Sequence, residues 1–303
     1  MRNVIGAIGR VLVTAGLLIL LFVAYQLWGT GIYEARAQSD LESQFNRELT
    51  RQRSQSTTTT TATPTVSPTA TTAPLALPST PADGDPVGVI KIDKIGVDKV
   101  VVEGTSVPDL RKGPGHYTGS PLPGQLGNSA IAGHRTTYGA PFGDLDQLAR
   151  GDTISVRTLT GTWDYEVLDN YPIAVNPDQT EVLDPTTDPA TGQPLATLTL
   201  TTCEPKYQAT KRLVVKAQLT SRQTPLPGPG RTNLALDTGL SGGSESRTPV
   251  FVAGLIAAIV GGLWWLVFHR YPRWTTWFAG VIPFLVALFV FYTYLERVLP
   301  NNY

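Results

Sequence analysis

One cysteine, Cys203, stands among 303 residues, so no disulfide within the chain can staple its fold. Histidine is almost as scarce, with His116, His134 and His269 as the full set. A zinc site built from Cys203, His134 and His116 is conceivable by residue type, but no local metal-ligand spacing supports it. Net charge is missing too. The 24 Lys+Arg balance 24 Asp+Glu, which removes the overall field that draws a protein to nucleic acid or to bulk anionic surface. No acidic cluster commits the chain to calcium, and no internal repeat organises it. These absences point to a protein that works without metal or cofactor and takes no nucleic-acid partner.

Long apolar runs, in contrast, occur three times. The first, VLVTAGLLILLFVAYQLW at 11–28, is long enough to cross a hydrocarbon layer of roughly 30 Å. It follows Arg2 and Arg10 and ends in the interfacial pair Tyr25 and Trp28, so the positive-inside bias puts its N-terminus in the cytoplasm. The alternative is a cleaved signal peptide with ARA at 35–37 as its cleavage site. The apolar run exceeds the usual length and ARA lies far beyond its end, which favours an uncleaved anchor. The second and third runs, 249–268 and 274–295, are joined only by HRYPR. So short a basic connector predicts a helical hairpin whose bend keeps His269, Arg270 and Arg273 in the cytoplasm. The chain between the first and second runs is then extracytoplasmic, where an unpaired thiol tends to pair or be lost and needs a chemical reason to persist.

The predicted organisation is a multi-pass protein of the cell membrane. It has a cytoplasmic N-terminus (1–10), a transmembrane helix (11–28), a polar segment with a Thr/Pro-rich stalk (29–84) and a soluble domain (85–221). A Gly/Pro/Ser linker (222–248), a transmembrane helix (249–268), a cytoplasmic turn (269–273), a further transmembrane helix (274–295) and an extracytoplasmic C-terminus (296–303) follow. Residues 33–53 are rich in helix formers, so the first helix is expected to continue out of the membrane. TTTTTATPTVSPTATTAPLALPSTP offers few large apolar groups and repeated prolines, cannot build a core, and reads as a stalk. The soluble domain sets β-branched and aromatic residues in short runs broken by Gly, Pro, Asn and Asp. Strands are expected twice within 87–104, at 128–134, 152–159 and 161–169, and in LATLTLTTC and RLVVKAQL, with a short helix at 142–150 and a turn near VPDLRKG. This pattern predicts an all-β, closed or nearly closed barrel, large enough to bury its own core.

In TLTLTTC, alternation sets Leu198 and Leu200 on one face and Thr197, Thr199, Thr201 and Cys203 on the other. With the leucines in the core, Cys203 falls on the polar face at the strand end, unlike a cysteine that serves as a buried small hydrophobe. Arg212 opens the returning strand, where hairpin pairing would bring it beside the thiol. A thiol nucleophile needs a base or a cation nearby. His134 follows a small-residue strand and precedes a Gly/Pro loop, a good place for an exposed side chain, whereas His116 sits in a glycine-bounded turn and His269 on the cytoplasmic bend. Thr202, beside the thiol, is a weaker candidate for a donor at the acyl site, against the reading of an ordinary strand threonine. Tyr138 is a candidate for lining a peptide groove, against that of a loop tyrosine packed on the barrel. Asp144 and Asp146 are expected to cap the short helix.

LTLTTC followed nine residues later by Arg212, with GNSAIAGHR upstream, resembles the sortase family, the cysteine transpeptidases of Gram-positive cell surfaces. The fuller phrases RKGPGHYTGSPLPGQLGNSAIAGHRTTYGAPF and LTLTTCEPKYQATKRLVVKAQL are similar to the actinobacterial class E group. The resemblance covers 87–219 and implies a sortase-type closed β-barrel with short helices, beside the one N-terminal and two C-terminal transmembrane helices read above. It implies Cys203 as nucleophile, His134 as general acid/base, and Arg212 as the group that orients substrate and stabilises the oxyanion. It further implies cleavage of a C-terminal LPXTG-like signal, LAXTG in class E, on exported proteins. A Cys thioester would then pass to a peptidoglycan precursor or another envelope amine. A thiol protease releasing to water and a non-catalytic surface binding module are the alternatives.

Overall fold

The computed structural model describes residues 2–58, 81–169, 171–177, 179–206, 210–221, 225–227, 246–268 and 274–296. Most of the expected stalk and linker, the 269–273 turn and residues 297–303 lie outside the described residues. In chain order the α-helices are α1 (Arg2–Ala24), α2 (Thr30–Thr58), α3 (Val107–Leu110), α4 (Thr248–Phe268) and α5 (Trp274–Glu296), with a π-helical turn over Tyr25–Gly29. The chain divides into two compact units, one from Met1–Thr30 with Gly243–Asn302, the other from Gly31–Gly242.

The first unit is helical. Among the described residues, Thr248–Val267 is long and apolar enough to cross a membrane, while Leu12–Ala24 and Gly280–Leu295 are shorter apolar helices. Phe251, Leu255, Ile282 and Val286 are exposed on its surface. Two glycines explain how α4 and α5 approach: a Cβ on Gly254 would meet the Phe291 ring at 3.0 Å, and one on Gly261 the Phe284 ring at 2.9 Å. α1 joins them through the Tyr292 hydroxyl, which donates to the Leu18 carbonyl at 2.6 Å, and through the edge-on rings of Phe22 and Tyr292.

The second unit is a β-barrel. Its strands are β1 (Pro86–Ile92), β2 (Val97–Glu103), β3 (Gly115–His116), β4 (Gly127–Ala132), β5 (Thr153–Thr158), β6 (Gly161–Val167), β7 (Ile173–Val175), β8 (Ala196–Glu204) and β9 (Lys211–Leu219). They pair in the order β6-β5-β1-β2-β3-β4-β8-β9-β7, and an additional β6–β9 pairing closes the ring, leaving β7 beside the first half of β9. Closure removes the free sheet edges that invite aggregation. Among the described strand pairs β2–β3 and β4–β8 are parallel, as is the isolated Gln125–Leu226 bridge. Ile90, Ile92, Val101, Ile131, Trp163, Tyr165, Leu198, Leu200 and Val215 belong to the main core, so the alternation in GTWDYEV and TLTLTTC points inward as expected. Each fully buried Leu or Ile contributes about 1.5–3 kcal/mol relative to exposure.

Several expectations are revised. The threonine face of β8 is buried: Thr197 and Thr199 donate to Asn128 Oδ1 at 3.0 and 2.8 Å, and Thr201 bonds the Tyr117 hydroxyl at 2.8 Å. Strands β4 and β9 satisfy the backbone of β8 on its two edges, and Asn128 and Tyr117 satisfy the hydroxyls of its polar face. The glycine-bounded turn at His116 contains the short strand β3, and β7 carries no pattern strong enough to be foreseen. The short helix at 142–150 is a 3₁₀ turn over Leu145–Gln147, and Asp144 makes no side-chain cap there. Asp144 instead pairs with Lys206, and Asp146 with Arg135. The polar helix α2 packs on β2 with Leu41 buried against Val100 and Val102. Gln38 binds like a strand partner: its Nε2 donates to the carbonyls of Val100 and Lys112 at 3.0 and 2.8 Å, and its Oε1 accepts from Val100 N–H at 2.7 Å.

Candidate active site

The parallel β4–β8 pairing sets Ala132 opposite Thr201. Beyond it the ladder continues, with Gly133 N–H donating to the Thr201 carbonyl at 3.0 Å and Thr202 Oγ1 donating to the Gly133 carbonyl at 2.7 Å. On the other side of β8, Cys203 pairs with Arg212, and directly opposed residues of an antiparallel pair share a face. Thiol and guanidinium therefore share one level of β8 and β9, with the imidazole in the loop that continues from β4 toward the same level. Glycine precedes the histidine for a steric reason, since a Cβ on Gly133 would lie 2.6 Å from the Phe142 ring. Phe142 in turn closes the loop by donating its N–H to the His134 carbonyl at 3.1 Å.

The site is closed. Cys203, His134 and Arg212 are only 5%, 3% and 6% exposed, which overturns the expectation of an exposed histidine and of a thiol on an open polar face. The cover is Tyr138, whose ring lies over the imidazole with centroids 5.1 Å apart. Tyr138 adopts a left-handed backbone with φ 49°, a conformation that costs a non-glycine residue roughly 1–3 kcal/mol and persists where surroundings hold it. Two contacts do so: Tyr33 of α2 meets it edge-on at 6.1 Å, and the Arg111 guanidinium sits 5.8 Å from its ring centre. Tyr138 thus lies on the His134 ring.

Burial governs the electrostatics. Loss of water, and then the Arg111 charge, push the His134 pKa down to about 3. Burial pushes the Cys203 thiol up, while the charges of Arg212 and Arg135 pull it back down. In this arrangement both groups rest neutral at pH 7. His134 Nε2 has no hydrogen-bond partner among the described residues, and Nδ1 lies 3.4 Å from Thr137 Oγ1.

Thr202 belongs to the site through its brace to Gly133. His116 does not. It is fully buried, with Nδ1 2.8 Å from Glu103 Oε2 and Nε2 2.8 Å from Ser120 Oγ, and so ties β2 and β3 to the following turn. No group of three or more His, Cys, Asp or Glu side chains is placed to hold a metal ion among the described residues. One residue escaped sequence reasoning. Arg135, next to His134, is 5% exposed, donates from Nη1 to the Cys203 carbonyl at 2.9 Å, and pairs with both Glu204 and Asp146. Its adjacency to the histidine was the available signal.

Comparison with known proteins agrees with the motif resemblance. Residues 90–220 match the sortase domain family. Sortase SrtE1 of Streptomyces coelicolor is 29% identical over 217 residues, covering 69% of this chain and 55% of that protein. Sortase SrtE2 of the same organism is 29% identical over 224 residues, covering 71% of this chain and 81% of its own length. The solved structure of sortase E from Streptomyces avermitilis is 37% identical, covers 50% of this chain and 98% of that one, and superposes with a TM-score of 0.41. The chain spans little more than half the length of SrtE1.

Proposed function

The chain belongs to the sortase family of cysteine transpeptidases, and from that premise we propose that it cleaves the C-terminal sorting signal of exported proteins and joins them to a cell-envelope amine. The observation that carries this reading is the strand register, which pairs Cys203 with Arg212 across β8 and β9 and starts the loop bearing His134 at the adjoining end of β4. On substrate binding the Cys203 proton passes to His134, and the resulting thiolate attacks the carbonyl carbon of a Thr–Gly bond in an LAXTG-type signal. Arg212 presents a planar fork of donors to the developing oxyanion. His134, as imidazolium, protonates the departing glycine amine as the C–N bond breaks, leaving a thioester on Cys203. The acceptor amine then attacks the thioester, neutral His134 takes its proton, and the thiolate departs as a new amide forms. A peptidoglycan precursor fits the acceptor role. Burial of the site favours amine over water only when the amine is held in line, because positioning decides between the two.

The apolar surface of the helical unit supports membrane anchoring. We take α1, α4 and α5 as three spans with the catalytic domain extracytoplasmic, and 85–221 as that domain. Incubating the full chain in detergent with LAXTG and LPXTG peptides and a diglycine or diaminopimelate-type amine tests the function. Mass analysis should find the Thr-linked amide, preferentially from LAXTG, and none with Cys203→Ala. Release of the free acid alone, unchanged by added amine, would make the protein a protease instead.

A further inference from the structure

Arg135 departs from the roles assigned to the three reactive side chains. Its guanidinium is buried, yet it touches the nucleophile's backbone rather than its sulfur, through Nη1 and the Cys203 carbonyl at 2.9 Å. The same nitrogen pairs with the Glu204 carboxylate, and Nη2 reaches Asp146 of the 3₁₀ turn at 3.1 Å. Three segments meet on this one side chain: the loop after β4, the end of β8, and the turn over Leu145–Gln147.

We propose that Arg135 is a positioning residue of the nucleophile, its guanidinium pinning the Cys203 carbonyl and clamping the end of β8 between Glu204 and Asp146. The inference rests on the reading of Cys203 as the nucleophile. The β4–β8 pairing ends at Ala132–Thr201, so at Cys203 the ladder holds the thiol's own residue from β9 alone. A planar fork with fixed donors can hold a carbonyl and two carboxylates at once, which an ammonium cannot do with the same geometry. An ångström of drift in a nucleophile costs rate rather than binding. The charged and titratable groups around the thiol divide the work: Arg212 from β9 faces it across the hairpin, His134 and Arg135 come from the loop after β4, Glu204 follows it on β8, and Asp146 holds the far side of Arg135. The Arg135 cation also opposes the upward push of burial on the thiol.

The test uses the full chain in detergent, with an LAXTG peptide and diglycine as substrates and iodoacetamide alkylation of Cys203 followed against pH. Arg135→Lys and Arg135→Met should each lower kcat tenfold or more with KM within twofold. Arg135→Met should also move the alkylation midpoint upward, whereas Arg135→Lys, which keeps the charge, should leave it in place. Wild-type kcat in Arg135→Lys, or a loss confined to KM, would overturn the proposal, and this variant decides alone if Arg135→Met does not fold. Retained transfer by Cys203→Ala would overturn the nucleophile assignment itself. An inactive Cys203→Ala beside a fully active Arg135→Lys would overturn only the clamp.

Discussion

At the scale of single residues, the closed site makes His134 a reporter of opening. Its pKa is held near 3 when covered, against 6.5 for the ordinary side chain, so protons bind the uncovered form first. The covered arrangement is at full strength above pH 6.5 and weakens progressively as pH falls from there toward 3, each pH unit in that window shifting the balance by about 1.4 kcal/mol. The Cε1 proton of His134 followed by NMR should therefore titrate well below its ordinary value in the wild type. In Tyr138→Ala the titration should move back toward 6.5, since the ring that excludes water is gone. An ordinary titration in the wild type would mean that the imidazole is open at rest. That Arg212 pairs with Cys203 across a hairpin was legible, because the spacing of the two strands survives in sequence. The burial of His134 was not, because it depends on Tyr138 and, behind it, Tyr33 and Arg111, which come from the loop after His134, α2 and the end of α3, and no local pattern links those three.

The elements divide in the same way. Strands with strong alternation, such as 161–167 and 196–204, announce their inward faces, and the barrel follows from their number and spacing. β3 and β7, at two and three residues, are too short for any period to be read. The polar α2 looked like a simple extension of an anchor, because its contacts with the barrel rest on hydrogen bonding and a few apolar residues rather than on a continuous stripe. Gln38 carries three of those bonds. Removing a side chain that satisfies partly buried backbone groups costs about 1–3 kcal/mol, so Gln38→Ala should lower the stability of the barrel by that order in urea titration. The same variant should loosen Tyr33 from Tyr138 and speed chemical modification of His134, resolved by mass spectrometry. An unchanged urea midpoint would mean that α2 merely lies alongside. The helix would then have no hold on the cover.

At the scale of the whole molecule, chain ends far apart in sequence build one helical unit. The Tyr292 hydroxyl donates to the Leu18 carbonyl, the Tyr25 hydroxyl to Thr293 Oγ1, and the Tyr25 ring meets Phe289 edge-on at 5.3 Å. In a lipid environment, apolar surface alone gives helices little reason to associate, so close packing at small residues and such hydrogen bonds must hold them. Gly254 and Gly261 supply the first, the tyrosines the second. If three spans assemble in this way, the C-terminal hairpin has affinity for α1 without a covalent connection. Co-expressing residues 1–245 with a tagged 246–303 piece should recover both together from detergent. Combining Tyr25→Ala with Tyr292→Ala should reduce that recovery, as should Gly261→Leu through the collision with Phe284. Separate elution of the unmodified pieces would mean that the hairpin is an independent anchor, and the catalytic domain would then be tethered by two unrelated segments.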